Sequence, residues 1–260
     1  MIPGFVMKIQ RENILPALTA LVVIAVYLLI PIPAAAGFGI DLESGAASPG
    51  YNDVRIPKET GTAISLTSDL SGDVSPYFRG RLNYTFGGRN SLSLLIAPLR
   101  LESKGPIDRE IHFNNAVFFP GTSITARYRF DSYRLTYRYT LKKSAKLNFG
   151  LGLTAKIRDA SISLSGGGQA SEKTNTGFVP LINFLLDWQF SRRAGLLLEG
   201  DALAAPQGRA EDILAAVKFK AGRKISVMLG YRILEGGADV DEVYNFALIN
   251  YAVLGLIVQL

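Results

Sequence analysis

The feature of this sequence that most restricts its fold is a two-residue alternation between oily and charged side chains. Over residues 77–86, Phe78, Leu82, Tyr84 and Phe86 fall on one face, and Arg79, Arg81, Asn83 and Thr85 on the other. Over 146–158, Leu147, Phe149, Leu151, Leu153, Ala155 and Ile157 oppose Asn148, Gly150, Gly152, Thr154, Lys156 and Arg158. Period two marks extended chain, because successive side chains of a strand point to opposite sides, whereas a helix would spread both sets around its circumference. Each strand therefore has one greasy face and one face rich in guanidinium groups, and the fold must supply each with its own surroundings.

Further strand candidates lie at 91–101, 122–141, 178–190, 195–204, 212–220, 224–234 and 244–260, with a weaker one at 62–69. Together they make about ten antiparallel strands, or eight if the weak segments do not pair. Tight connections at 87–90, 142–145, 191–194 and 221–223 alternate with longer ones such as 104–121 and 166–177. Within 122–141 the apolar phase changes, from Ile124, Ala126, Tyr128 and Phe130 to Tyr133, Leu135, Tyr137, Tyr139 and Leu141. If one face looks at lipid throughout, a β-bulge near Asp131 and Ser132 is required to keep arginines out of the bilayer.

Composition removes several functional classes. The chain has 260 residues, no cysteine and one histidine, which excludes disulfide frameworks and thiolate chemistry and leaves little imidazole chemistry. No cofactor or metal is expected. The formal charge of +6 is spread through strands and does not form a basic tail, so a nucleic-acid partner is not expected. At the N-terminus, Lys8 and Arg11 precede an apolar run over 14–30, then Pro31, Pro33 and Ala34-Ala35-Ala36. That is the pattern of an export signal cleaved after Ala36. The organisation read from the sequence is thus a signal peptide (1–36), a flexible Gly/Pro/Ser-rich periplasmic leader (37–58) and an all-β transmembrane barrel (59–260).

The aromatics beside the tight turns decide between a membrane barrel and a soluble one. Tyr84, Phe86, Tyr139, Phe149, Trp188, Phe190 and Phe219 would all lie at one level, as in the interfacial girdle of a transmembrane β-barrel. A lipocalin-like barrel would turn its oily face inward and has no reason to collect aromatics there. With its signal sequence, alternating strands and apolar last strand (Ala252, Leu254, Leu256, Val258, Leu260), the chain resembles the small outer-membrane barrels of Gram-negative bacteria, broadly the OmpA-barrel, OmpX and OmpW group. The resemblance is one of architecture. It implies a cell outer-membrane location, a monomer, contact with outer-membrane lipids and lipopolysaccharide, and assembly by the barrel-assembly machinery.

If the oily faces look at lipid, the lumen receives Arg79, Arg81, Arg127, Arg129, Arg134, Arg138, Lys156 and Arg158 from the earlier strands, and Asp187, Glu199, Asp201, Lys218, Lys220, Arg232 and Glu235 from the later ones. A narrow space lined by both signs should collapse into ion pairs, because unpaired buried charge costs several kcal/mol. The expectation is a plugged, non-enzymatic barrel with an envelope-structural or surface-interaction role. A slender channel for small anionic or amphipathic solutes is the alternative, and a lipid-modifying enzyme the third. An acidic set toward the loop side (Glu199, Asp201, Glu211, Asp212, then Glu235, Asp239, Asp241, Glu242) matches no calcium-loop spacing and reads as solvated acids. His112, near Asp108 and Glu110 in the longest loop, has no nucleophile in a recognisable setting beside it. The glycines of Gly150-Leu151-Gly152 run through a strand and so do not bind a dinucleotide. Gly166-Gly167-Gly168 reads as a flexible outer loop.

Overall fold

The structure, a computed structural model, describes residues 36–260. The expected signal peptide therefore lies outside the described residues, apart from Ala36. The chain forms β1 (Gly37–Arg55), β2 (Ile64–Ser65), β3 (Ser71–Gly72), β4 (Ser75–Phe86), β5 (Asn90–Ala97), β6 (Arg100–Pro106), β7 (Ile111–Phe113), β8 (Ala116–Phe118), β9 (Ser123–Lys143), β10 (Leu147–Gly166), β11 (Gln169–Trp188), β12 (Ala194–Ala205), β13 (Gly208–Lys220), β14 (Ile225–Val240) and β15 (Val243–Gln259). β5 and β6 both pair with β9 and are two halves of one wall strand broken at Pro98 and Leu99. With them counted once, the wall is a closed ten-stranded antiparallel barrel in which β15 returns to pair with β1. Both described ends and the tight turns after β4, β9, β11 and β13 share one rim.

The outward face carries the greasy half of the alternation. Leu82, Leu151, Leu153, Ile182, Leu229 and Leu254 are all exposed. On β10 the apolar outward run extends from Leu147 to Ile157; at ~3.4 Å per residue and a tilt of ~40° this spans about 26 Å, the height of a barrel's lipid-facing belt. Rings ring the tight-turn end of that belt: Phe38 lies 5.0 Å from Tyr84, Tyr84 stacks on Phe86 at 5.5 Å, and Trp188 meets Phe190 edge-on at 5.7 Å. The girdle read from the sequence is present, and the barrel is of the membrane-spanning, outer-membrane type.

Beyond the belt the sidedness inverts without any bulge at Asp131 and Ser132. The β9–β10 register runs unbroken from Thr140↔Gly150 to Thr125↔Ser165, and its one irregularity lies at Phe149/Gly150, opposite Leu141. Ile124, Ala126 and Tyr128 are therefore on the same inward face as Arg134, and all are buried. Outward, Ile157 gives way to Asp159, Ser161, Ser163 and Ser165. The expected bulge rested on the assumption that lipid surrounds the whole strand. In fact the strands outrun the bilayer, and where water replaces lipid outside, the apolar residues move to the interior as in a soluble protein.

Three further readings are corrected. Residues 37–55, read above as a flexible leader, are barrel strand β1, paired with β15 over Gly39–Arg55 apart from a bulge at Gly50, and with β4 over Gly37–Ala47. Segment 62–69 is not a wall strand, since only Ile64 and Ser65 pair, with β1. Residues 166–177 are not a loop: β10 and β11 stay paired to Gly166↔Gln169, and Gly167 and Gly168 (φ 56° and 78°) make the two-residue turn that needs left-handed backbone at both positions.

The connections 56–74 and 107–122 fold together over the other mouth. Thr62 N–H donates to the His112 carbonyl, and Asn114 N–H to that of Ile56, both at 2.8 Å. Beneath this cap Ile56, Leu66, Ile111, Phe113 and Phe118 are buried against Ile124 and Leu164 of the wall. The molecule thus has two interiors stacked along one axis, a dry apolar one under the cap and a charged one inside the belt.

Candidate functional site

The charged interior is built by alternation alone: on β4, β9, β12, β13 and β14 every second residue points inward, and the wall brings them within reach across a narrow lumen. Asp212 of β13 is its centre. It accepts from Arg79 Nη2 at 3.0 Å, Arg134 Nη2 at 2.6 Å and Arg232 Nη1 at 2.5 Å. Arg232, which is 1% exposed, also donates to both Glu43 oxygens, at 3.1 and 2.7 Å. Arg134 reaches Asp201 at 2.7 Å, and Asp201 accepts from Thr154 Oγ1 (2.6 Å) and Asn183 Nδ2 (2.8 Å). Arg81 on β4 crosses to Glu199 on β12, on the opposite wall, with Nη1 at 2.8 Å from both oxygens. Lys218 pairs with Asp187 at 2.5 Å. Glycines make room: a Cβ on Gly152 would lie 2.1 Å from the Tyr137 carbonyl oxygen, so the glycines that resemble a nucleotide fingerprint are there for close strand packing.

Of the residues expected in the lumen, Arg79, Arg81, Arg134, Arg138, Lys156, Arg158, Asp187, Glu199, Asp201, Lys218 and Arg232 point inward. Lys220 extends the inward register of β13 to the tight-turn rim, where it is exposed. Arg127, Arg129 and Glu235 face outward. Arg129 pairs with Asp159 at 2.5 Å on the outer wall, Arg127 with Glu102 at 2.8 Å, and Glu235 with Arg209 at 2.7 Å. All three lie beyond the belt or on its rim, where the outward side is the polar one. Three acids of the network were not expected in it. Asp41 and Glu43 belong to the strand mistaken for a leader, and Asp212 was grouped with the acidic rim. The alternation of Phe38, Ile40 and Leu42 with Asp41 and Glu43 was the signal available.

The acidic rim disperses: Glu199, Asp201 and Asp212 turn to the lumen, Glu211 outward, Asp239 to Lys58 at 2.7 Å and Glu242 to Lys173 at 3.4 Å. His112 sits on the cap, its Nε2 2.6 Å from Glu110 Oε1, and among the described residues no hydroxyl hydrogen-bonds its imidazole. Asp108 pairs with Arg109 at 3.1 Å.

Between the ion network and the cap lies a cavity of about 360 Å³, lined by Tyr128, Phe130, Val179, Leu203, Leu234 and Ile249 among others. Its side wall is incomplete. β11 pairs with β12 only over Ile182–Trp188, so the upper half of β11 has no neighbour on that side, and the β12–β13 hairpin ends lower than the β10–β11 hairpin. Pro180, which lacks an N–H, stands at the base of this notch, where an edge position is natural for it.

No protein-family model and no curated sequence matches the chain. Among solved structures it is similar to the outer membrane protease OmpT of Escherichia coli, at 8% identity and a TM-score of 0.54, over 86% of this chain and 97% of that one. It also aligns with Ail of Yersinia pestis in complex with a heparin analogue (11%, TM-score 0.38, covering 86% and 99%) and the translocator domain of the autotransporter NalP of Neisseria meningitidis (10%, 0.43, covering 94% and 95%). At 8% identity the likeness to OmpT is one of fold.

Proposed function

We propose that this chain is an outer-membrane barrel closed to ion flow, whose work is done at its outer half and not through an open lumen. The observation that carries this is the grip of Arg79, Arg134 and Arg232 on Asp212, with Arg232 also held by Glu43: guanidiniums and carboxylates from β1, β4, β9, β13 and β14 meet in the middle of the barrel, each no more than 4% exposed. A water path would have to pass through side chains held by several charge-assisted hydrogen bonds each.

The outer collar supports a lipid-surface role. Arg127, Arg100 and Lys104 stand on the outward face beyond the belt, with 71%, 57% and 58% of their side chains exposed; Arg100 is paired with Asp131, and Arg127 and Lys104 share Glu102, which leaves one cation of that trio in excess. The collar is at the height of the phosphates of lipopolysaccharide, and arginine binds phosphate through two parallel donors. Planar-bilayer recordings test the closed reading: the protein should give no conductance steps above the lipid background, and steady ion-selective steps would overturn it.

A further inference from the structure

Resting on the reading that the belt region is closed, we infer that the cavity above the ion network is a binding site for a single-chain amphiphile with an anionic headgroup, entered from the outer leaflet through the notch between β11 and β12. The first observation is a charge without a partner. Lys156 is 2% exposed and lines the cavity, yet among the described residues no carboxylate lies within ion-pairing distance of it. Its ammonium lies 4.8 Å from the centre of the Phe130 ring. A ring face offsets only part of the cost of burying an ammonium.

Arg158, two residues along on the same inward face, repeats the pattern. Its Nη2 donates to the amide oxygen of Asn175, its Nε is buried with no hydrogen-bond partner, and it too has no acid beside it. Deeper in the barrel Arg79, Arg81, Arg134, Arg232 and Lys218 do have carboxylates, while Arg138, away from the cavity lining, donates to the Asn183 amide oxygen at 3.2 Å. Of the four cations that line the cavity, Lys173 and Arg209 are paired with Glu242 and Glu235, which leaves Lys156 and Arg158 in the arrangement an anion would complete.

The second observation is the remaining lining, which is mostly apolar apart from the Lys173–Glu242 and Arg209–Glu235 pairs and the amides of Asn175, Gln207 and Asn245, and is made spacious by small inward residues. Ala160, Gly177, Ala210 and Ala247 face the cavity where larger side chains would fill it. About 360 Å³ is within the range of small-molecule sites. The third is the entrance. Val179 and Pro180 on β11 and Leu203 and Ala205 on the facing hairpin border the cavity at the height of Phe178, the last outward apolar residue of β11 before Thr176 and Thr174. A tail arriving from lipid meets apolar surface, and a head arriving at the phosphate level meets Arg158 and Lys156.

The test uses the purified protein in phosphatidylcholine nanodiscs, with empty discs as the blank. Dodecanoate, dodecanol and dodecyltrimethylammonium are the probes, read by native mass spectrometry and calorimetry. One saturable dodecanoate per barrel is expected, with no saturable uptake of the cation. The double variant Lys156→Met/Arg158→Gln should weaken dodecanoate binding about tenfold to a hundredfold, the scale of a lost charge-assisted contact. Gly177→Leu, which keeps both charges and fills the cavity beside Arg158, whose Nη2 an added Cβ would meet at 3.4 Å, should weaken it as much, while Ser163→Ala on the outer wall should not. Heat-dependent gel migration reports folding of each variant, and if the double variant misfolds, Gly177→Leu decides. Equal binding of anion and cation, or undiminished binding in a folded cavity variant, would sink the proposal. Silent bilayer recordings alongside such a failure would leave the closed barrel standing, whereas conductance alongside anion-selective binding would remove only the closed barrel.

Discussion

Asp212 and Glu211 are neighbours in the chain and opposites in environment. The first takes three guanidiniums in the barrel's centre; the second points outward at the rim of the belt. Removing the Asp212 charge leaves Arg79, Arg134 and Arg232 buried against each other, and breaking such a cluster from one side costs about 3–5 kcal/mol. Asp212→Asn should lower the midpoint of urea unfolding in lipid vesicles accordingly, whereas Glu211→Gln should stay within about 0.5 kcal/mol of the parent. From sequence the two acids read as one rim cluster, because their separation in space depends on strand parity and not on proximity in the chain. Parity also fixes the lipid contacts. Leu153 is 68% exposed near the middle of the outward belt, so Leu153→Arg should cost ~2–4 kcal/mol in the same assay. Ser163→Arg, outward on the same strand but beyond the belt, should cost less than ~0.5 kcal/mol.

At the scale of elements, the cap depends on a short electrostatic stitch. Partial burial pushes the Asp69 carboxyl up, but hydrogen bonds from Arg109 (2.6 Å) and the Ser65 amide (2.9 Å) outweigh it and hold it below the usual carboxylate range. A depressed carboxyl contributes stability that is full above its unfolded-state value and is lost as pH falls through the folded one. Protection factors of the amides over residues 62–70, which are corrected for the slower intrinsic exchange in acid, should therefore be high at neutral pH and fall below about pH 4, and Asp69→Asn should remove that pH dependence. The apolar side of the same cap predicts that Phe113→Ala, at a site 1% exposed, destabilises the cap by about 3–5 kcal/mol, seen as faster proteolysis there with the wall intact.

These elements also show how far the sequence could be read. The strands with bulky outward residues, such as Leu147–Ile157 on β10, were plain because lipid demands large apolar side chains in every second position. β1 was obscured, since beyond Leu42 its outward residues are Ser44, Ala46 and Ser48, and Gly and Pro dilute the period. The cap segments gave no period at all: Ile64, Leu66 and Leu70 are held by packing between loops, which leaves no repeat to find. On β9 the phase change was read correctly and its cause was not, because the sequence records that the surroundings change but not that the chain has left the bilayer. The cavity was hidden for a related reason, being defined by side chains that are small. Pro180 inside a strand pattern was the one local hint of an edge.

As a whole molecule, the wall is a cylinder tied across its middle by the ion network and lidded by the cap. Two strands lose a ladder partway up the wall: β1 above Ala47, where the cap segment 64–66 takes over, and β11 above Ile182, where its free side has no ladder. Backbone amides from Gln169 to Leu181 on that side should exchange with solvent faster than those of β10 at the same height, a contrast that exchange mass spectrometry of overlapping peptides can measure.

That half-laced strand gives the molecule a preferred line of failure. A fully laced cylinder must lose a whole ladder before it opens, but here the first rungs are already missing, so rupture should start at Pro180 and run down toward Trp188. Tightening the lacing with a covalent stitch between the upper part of β11 and the β12–β13 hairpin should slow unfolding more than the same stitch placed between any two strands already joined along their length.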